Sequence, residues 1–295
     1  MIPIIYIHFG KVPDYFIKSI NSAAVYNENI ILLTDTDFKH QGVTVFKVNL
    51  FNKDIDSFIS VYKHMSTNTR EFEEICIKRW FILRNFMNQQ NIDVCYYSDS
   101  DVMIYDDLGV VYQQYKDYDA VYTLPQNQDD YRWVASACCS YWKKQTINEF
   151  CEFIIESYTG KGKELLDEKW KYHVDNNIAG GICDMTLLYL FSKKINFFSL
   201  SKVKDNISFD HNKRNAENYL ENEYKVEQKF GNLSQKKITW IDGQPFGYNT
   251  IYSKQIRFVA LTEYAKLIEQ QKTLPMALIT KAKVVLRNVK HNLFN

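Results

Sequence analysis

The chain has 295 residues, 46% hydrophobic, 15% aromatic and 24% charged, enough apolar material for one large α/β domain or one domain with an appended lobe. A formal net charge of +1 excludes a general electrostatic attraction to nucleic acid, which needs a clustered basic face. Six cysteines, at 76, 95, 138, 139, 151 and 183, lack paired Cys-x-x-Cys spacing and read as reduced core thiols. The opening Met1-Ile2-Pro3-Ile4-Ile5-Tyr6-Ile7 is too short an apolar run for a signal peptide. No segment approaches the roughly 20 apolar residues of a membrane span, so the expected location is the cytoplasm.

Ile4 to Phe9 predicts an apolar strand, Gly10 to Pro13 a turn, and Asp14 onward a helix with Phe16, Ile20 and Ala23 or Ala24 at helical spacing. A second strand spans 29 to 35 and ends in Asp35; Val43 to Val48 is a third. Buried strands alternating with a helix argue for a parallel sheet. Residues 71 to 90 predict a helix whose apolar stripe is Phe72, Cys76, Trp80, Leu83 and Met87. Lys78 and Arg79 flank the stripe, either as a solvated basic pair or as a cation brought near the strand ends.

The most informative stretch follows. Val94-Cys95-Tyr96-Tyr97-Ser98 is a buried strand that runs straight into Asp99-Ser100-Asp101. In an open α/β sheet, ligands bind outside the carboxyl ends of the strands. Two acids at i and i+2 on a turning backbone can both point there and hold a hard divalent cation, with phosphate oxygens as further ligands. The same residues also suit a polar turn after a core strand.

Further strands are expected over 118 to 123 and 133 to 142, separated by a polar loop, with a helix over 146 to 158 and a charged surface segment over 160 to 172. Gly180 and Gly181 permit close approach of backbone to a ligand or simply a turn, and Asp184 stands where an apolar helix begins, as an N-terminal cap would. After a strand at 195 to 200, residues 205 to 231 read as polar and irregular, with Phe209-Asp210-His211-Asn212 as one compact cluster. Ile238 to Phe246 reads as a hairpin strand and turn. From 262 a basic amphipathic helix is expected, suited to packing on the domain's own flank or, through 272 to 295, to a peripheral contact with an anionic membrane surface.

Taken in order, His8-Phe9-Gly10, Asp35, the Arg79 helix, Asp99-Ser100-Asp101, Gly180-Gly181 and Asp184 resemble the nucleotide-sugar glycosyltransferases of the GT-A fold, over roughly residues 1 to 200. The resemblance implies a Rossmann-like, mostly parallel sheet flanked by helices, with a smaller α+β region on the acceptor side and a C-terminal helical tail. The expected division is a single catalytic domain over 1 to 260, nucleotide-binding over 1 to 123 and acceptor-binding over 124 to 260, followed by the tail at 261 to 295. It further implies a Mn2+ or Mg2+ ion on Asp99 and Asp101, bridging the diphosphate of a nucleotide-sugar donor, with a UDP-sugar expected. His8 to Gly10 would line base and ribose, Asp35 would meet the nucleoside, and Arg79 the diphosphate. Ser100, Gly180 and Gly181 would border the donor, and Asp184 would be the catalytic residue, beside the sugar or the hydroxyl of a saccharide or glycolipid acceptor, where inverting members keep their general base.

Family members often add a late His to the metal. Here Ala260-Leu261-Thr262-Glu263-Tyr264-Ala265-Lys266 has none, which leaves His211 or Glu263 as the further ligand, or a more weakly held metal. Two other readings compete. The strand followed by Asp99-Ser100-Asp101-Val102 also looks like the nucleophile motif of haloacid-dehalogenase-type phosphatases, with Asp99 attacking phosphorus. A nucleotide-sugar-binding relative with weak or no turnover is the other.

Overall fold

The computed structural model describes residues 1–128, 131–229, 233–263 and 265–266. The chain opens with β1 (Ile4–His8), α1 (Asp14–Ala24), β2 (Ile30–Thr34) and β3 (Val43–Lys47). After α2 (Ile55–Val61) come the long helix α3 (Arg70–Gln89), β4 (Val94–Ser98), β5 (Met103–Ile104) and α4 (Leu108–Tyr112). Then follow β6 (Ala120–Thr123), β7 (Ser136–Lys143), α5 (Lys144–Thr159), α6 (Lys161–Asp175), α7 (Asp184–Ser192) and β8 (Phe197–Ser199). The remaining strands are β9 (Ile207–Phe209), β10 (Val226–Lys229), β11 (Leu233–Lys236), β12 (Ile238–Ile241), β13 (Gln244–Asn249) and β14 (Lys254–Leu261).

The main sheet has seven strands in the order β3-β2-β1-β4-β7-β6-β8. All its pairings are parallel except the two made by β7. The fold is therefore the mostly parallel α/β sheet expected from the sequence. Successive strand residues point to opposite faces, and the core divides accordingly: Ile5, Cys95 and Tyr97 pack with α3, α5 and α7 on one side, Ile4, Tyr6 and Tyr96 with α1 and α4 on the other. A second sheet, β12-β13-β14-β5 with β9 alongside β14, abuts the first where the chain leaves β4.

Several elements differ from their sequence expectation. Phe72, placed on the apolar stripe of α3, is 56% exposed, and the neighbouring Glu73 is buried in its stead. Ser66 Oγ and Asn68 Nδ2, both 2.8 Å away, donate to its Oε1, while its buried Oε2 has no partner among the described residues. The segment 160 to 172 is not plain surface: it forms most of α6, whose buried positions Leu166, Lys169 and His173 include only one apolar residue. Within 205 to 231, β9 and β10 are ordered strands, and β14 was not foreseen. Of the basic helix expected from 262, residues 267 to 295 lie outside the described residues.

The glycine pair ties α7 to the loop ahead of α3. Gly181 bridges Ser66, and Gly180 exchanges hydrogen bonds with Thr67 at 2.8 and 2.9 Å. Both glycines have left-handed φ, +91° and +146°, but only at Gly181 would a Cβ collide, lying 2.3 Å from the Met65 carbonyl oxygen. Gly180→Ala is accordingly expected to cost about 1 kcal/mol and Gly181→Ala about 3 kcal/mol or more, measured by urea denaturation.

Candidate functional site

Strands β1, β2 and β4 run parallel, β1 and β2 ending level at His8 and Thr34 and β4 at Ser98, beside Tyr6. The turn after β1 is stitched to the end of β2: the Gly10 amide donates to Asp35 Oδ1 at 2.7 Å, and Thr36 Oγ1 donates to the Gly10 carbonyl at 3.1 Å. Gly10 has φ +80°, a conformation that favours glycine. His8 hydrogen-bonds the Lys11 carbonyl at 3.2 Å, and its ring lies 5.3 Å from that of Phe16. The His8-Phe9-Gly10 turn and Asp35 thus form one lip of the strand-end crevice. Beside it lies a groove of about 510 Å³ lined by Thr36, Asp37, Phe38, Phe46 and Lys47, among others.

At the crest of β4 the acids are held by cations. Tyr97 and Asp99, two residues apart, present the same face. Arg79 Nη1 reaches both, donating to Asp99 Oδ1 at 2.9 Å and to the Tyr97 hydroxyl at 3.0 Å; that hydroxyl in turn donates to Asp99 Oδ1 at 3.0 Å. Arg79 Nη2 donates to Asp184 Oδ2, which also accepts from Trp80 Nε1 at 3.3 Å. Burial opposes the charge on Arg79, yet the adjoining Tyr97, Asp184 and Asp99 hold the guanidinium firmly protonated. Asp101 faces a different cation, Lys266 Nζ, 2.7 Å from Oδ2. Burial, then the neighbouring Asp99 charge, push the Asp101 carboxyl above its ordinary range, partly offset by Lys266.

Asp184 is the first residue of α7 but not its cap: the cap position falls to Cys183 with no side-chain bond, and the Asp184 side chain, only 4% exposed, is taken by Arg79 and Trp80 instead. In this geometry it orients the guanidinium. Ser100 lies in the turn closed by the Val102 amide on the Asp99 carbonyl at 3.3 Å. Gly180 and Gly181 serve the junction with residues 65 to 67 described above. Next to that junction is a cavity of about 340 Å³, lined by Thr67, Trp170, His173, Asn177 and Ile178 among others.

Both late candidates for a further metal ligand are engaged elsewhere. His211 Nδ1 is 3.4 Å from Thr123 Oγ1, and Glu263 pairs with Arg214 at 2.8 Å. Asp210, beside His211, forms a fully buried ion pair with Lys236 at 2.8 Å. Among the described residues, no group of three or more His, Cys, Asp and Glu side chains could share a metal ion. Asp99 and Asp101 each keep a second oxygen beyond the one bound to a cation. Two carboxylates of this kind suit a hard divalent ion that takes its remaining ligands from water and substrate phosphate.

Reasoning from the sequence missed Tyr97, Trp80 and Lys266 as members of the site. Tyr97 had a legible signal, its i, i+2 spacing from Asp99. Trp80 lies on the apolar stripe of α3 and so reads from sequence as core alone, and Lys266 is 165 residues from its partner.

No protein-family model and no curated protein matches this chain. Solved structures of similar fold include the apo form of mouse xyloside xylosyltransferase 1, 7% identical, covering 68% of this chain and 84% of that one at a TM-score of 0.48. The galactosyltransferase LgtC, solved with donor and acceptor sugar analogues, is 12% identical and covers 71% and 76% at 0.45. A cytidylyltransferase from Leptospira borgpetersenii is 12% identical, covering 67% and 74% at 0.36. None is close enough to carry a residue role or an activity to this chain.

The setting of His211 has a measurable consequence. Burial, then the Lys236 charge, push its imidazole from 6.5 down to about 4, so the folded state favours neutral His211. The unfolded chain takes up that proton first as pH falls; the contribution is complete above pH 6.5 and is lost progressively toward pH 4. Wild type is expected to lose on the order of 1–3 kcal/mol more than His211→Gln across that window, measured by thermal denaturation at stepped pH.

Proposed function

We propose that this protein is a glycosyltransferase that moves a sugar from a nucleotide-sugar donor to a hydroxyl of a saccharide or glycolipid. One observation carries the reading: two carboxylates two residues apart stand at the carboxyl end of the central parallel strand, each already facing a cation of the chain. The diphosphate of the donor would lie there, with Mn2+ or Mg2+ on the carboxylates of Asp99 and Asp101. Such an ion neutralises the charge that grows on a departing nucleoside diphosphate. Arg79, aligned by Asp99 and Asp184, adds a fixed positive charge on the same side. Interactions of this kind matter to rate to the extent that they strengthen as the glycosidic bond breaks.

The nucleoside fits the lip made by His8 to Gly10 and Asp35, with the groove of Phe38 and Phe46 offering an apolar wall for a base. A UDP-sugar is the donor we favour. The cavity beside Gly180, with the Trp170 ring as one wall, suits a sugar, whose C–H faces pack on aromatic surfaces. These assignments agree in direction: donor over β1, β2 and β4, acceptor toward α6 and α7. In this arrangement Asp184 acts by holding Arg79.

A thermal-shift series with UDP, GDP, CDP and their sugar conjugates, each with and without Mn2+, tests the reading on wild type and Asp101→Asn. At a ligand concentration 100 times its Kd the expected stabilisation is about 2.7 kcal/mol, a rise of several degrees in Tm. It should require Asp101 and be confined to one nucleotide and its sugars. Stabilisation by phosphorylated small molecules, with no response to any nucleotide, would overturn the assignment.

A further inference from the structure

We propose that Lys266 is an internal counter-ion seated where a divalent cation would coordinate Asp101, so that lysine and metal exclude one another and metal binding drives Lys266 out. The proposal deepens the donor-site reading above by assigning a competitor to its cation.

The geometry has three parts. Lys266 Nζ lies 2.7 Å from Asp101 Oδ2, closer than a divalent ion bound to that oxygen could tolerate a second cation. The two partners differ in exposure: Asp101 is 13% exposed and anchored at the crest of β4, whereas Lys266 is 40% exposed and reaches in from the end of the described chain, its ammonium 5.2 Å from the Tyr15 ring centroid. The lysine is therefore the partner free to leave. Asp99, by contrast, is held by Arg79, itself locked to the buried Asp184, so that side of the acid pair has no displaceable cation.

The charge count gives the direction. Asp99, Asp101 and Asp184 carry three negative charges against two positive charges on Arg79 and Lys266, a formal −1 that repels a nucleoside diphosphate. A divalent ion reverses that sign while making the ammonium on Asp101 redundant. An ammonium donates three hydrogen bonds on a flexible stem, so Lys266, once released, keeps donors for a phosphate on the same ledge. The lysine thus weakens metal binding to the empty protein and favours joint entry of metal and diphosphate.

The test uses the full chain without nucleotide, so it stands or falls independently of the transferase reading. Mn2+ is titrated into wild type, Lys266→Met and Asp101→Asn, with free Mn2+ counted by electron paramagnetic resonance. Lys266→Met should bind Mn2+ about threefold to tenfold tighter than wild type, the scale of one part-exposed ion pair, while Asp101→Asn should bind weakly. A nearby charge could also repel the ion without occupying its seat, so a second readout follows Lys266 itself. Its modification by an amine-directed reagent, measured by mass spectrometry, should be slow in wild type, faster with Mn2+, and fast in Asp101→Asn without metal. Equal or weaker Mn2+ binding by Lys266→Met, no Mn2+ binding by either protein, or Lys266 reactivity unmoved by Mn2+ would each overturn the proposal.

Discussion

A guanidinium enclosed by two carboxylates and two aromatic rings is the constraint from which the site follows. Arg79 stands 5.1 Å from the Trp80 ring centroid and 5.4 Å from that of Tyr97, and its donors are divided between Asp99 and Asp184. The four partners come from three elements: Tyr97 and Asp99 from the end of β4, Asp184 from the start of α7 and Trp80 from α3. Taking one charge out of such a cluster leaves another buried without a mate, typically at a cost of about 3–5 kcal/mol. The alignment of the three elements and the position of the Asp99 carboxylate are therefore one property, and the carboxyl end of the sheet cannot relax without disturbing the core beneath it.

Around that fixed point the chain arranges a softer half. Asp101 leads within two residues into β5, and β5 pairs with β14, whose end leads to Lys266. The second sheet thus carries the far end of the described chain back to the crest where the acids stand. One acid is clamped from within the core and the other is met from the surface.

Much of this was legible in the sequence because buried parallel strands announce themselves: residues 30 to 34 and 94 to 98 are continuous apolar runs, and the acids that follow them could be placed at strand ends from topology alone. What escaped notice had polar residues doing apolar duty. The buried face of α6 includes Lys169 and His173, and Glu73 takes the inward place on α3 that periodicity gave to Phe72. Short strands such as β5 carry too few residues for a pattern. Asp184 reads from sequence as an acid at a helix start, but its burial against Arg79 depends on a packing that no local spacing encodes. His211 was weighed for its chemistry, and its surroundings, the ion pair of Asp210 with Lys236 and the hydroxyl of Thr123, come from distant strands.

The separation of the paired groups along the chain bears on how the protein comes into being. Arg79 and Asp184 are 105 residues apart, Asp101 and Lys266 165. Contacts of such span close late, because the loop entropy they cost must be met before they stabilise anything. During synthesis from the amino end, the strands up to β4 can pair while the acids at its crest still lack both cationic and carboxylate partners from later segments. A nascent chain therefore exposes three neighbouring strand ends and a guanidinium that has Asp99 but not yet Asp184 until α7 emerges, and Lys266 arrives only after nearly all of the sheet has been made. The charge arrangement at this crest is in that sense a late feature of the chain, and a fragment ending before β14 would carry its scaffold without Lys266.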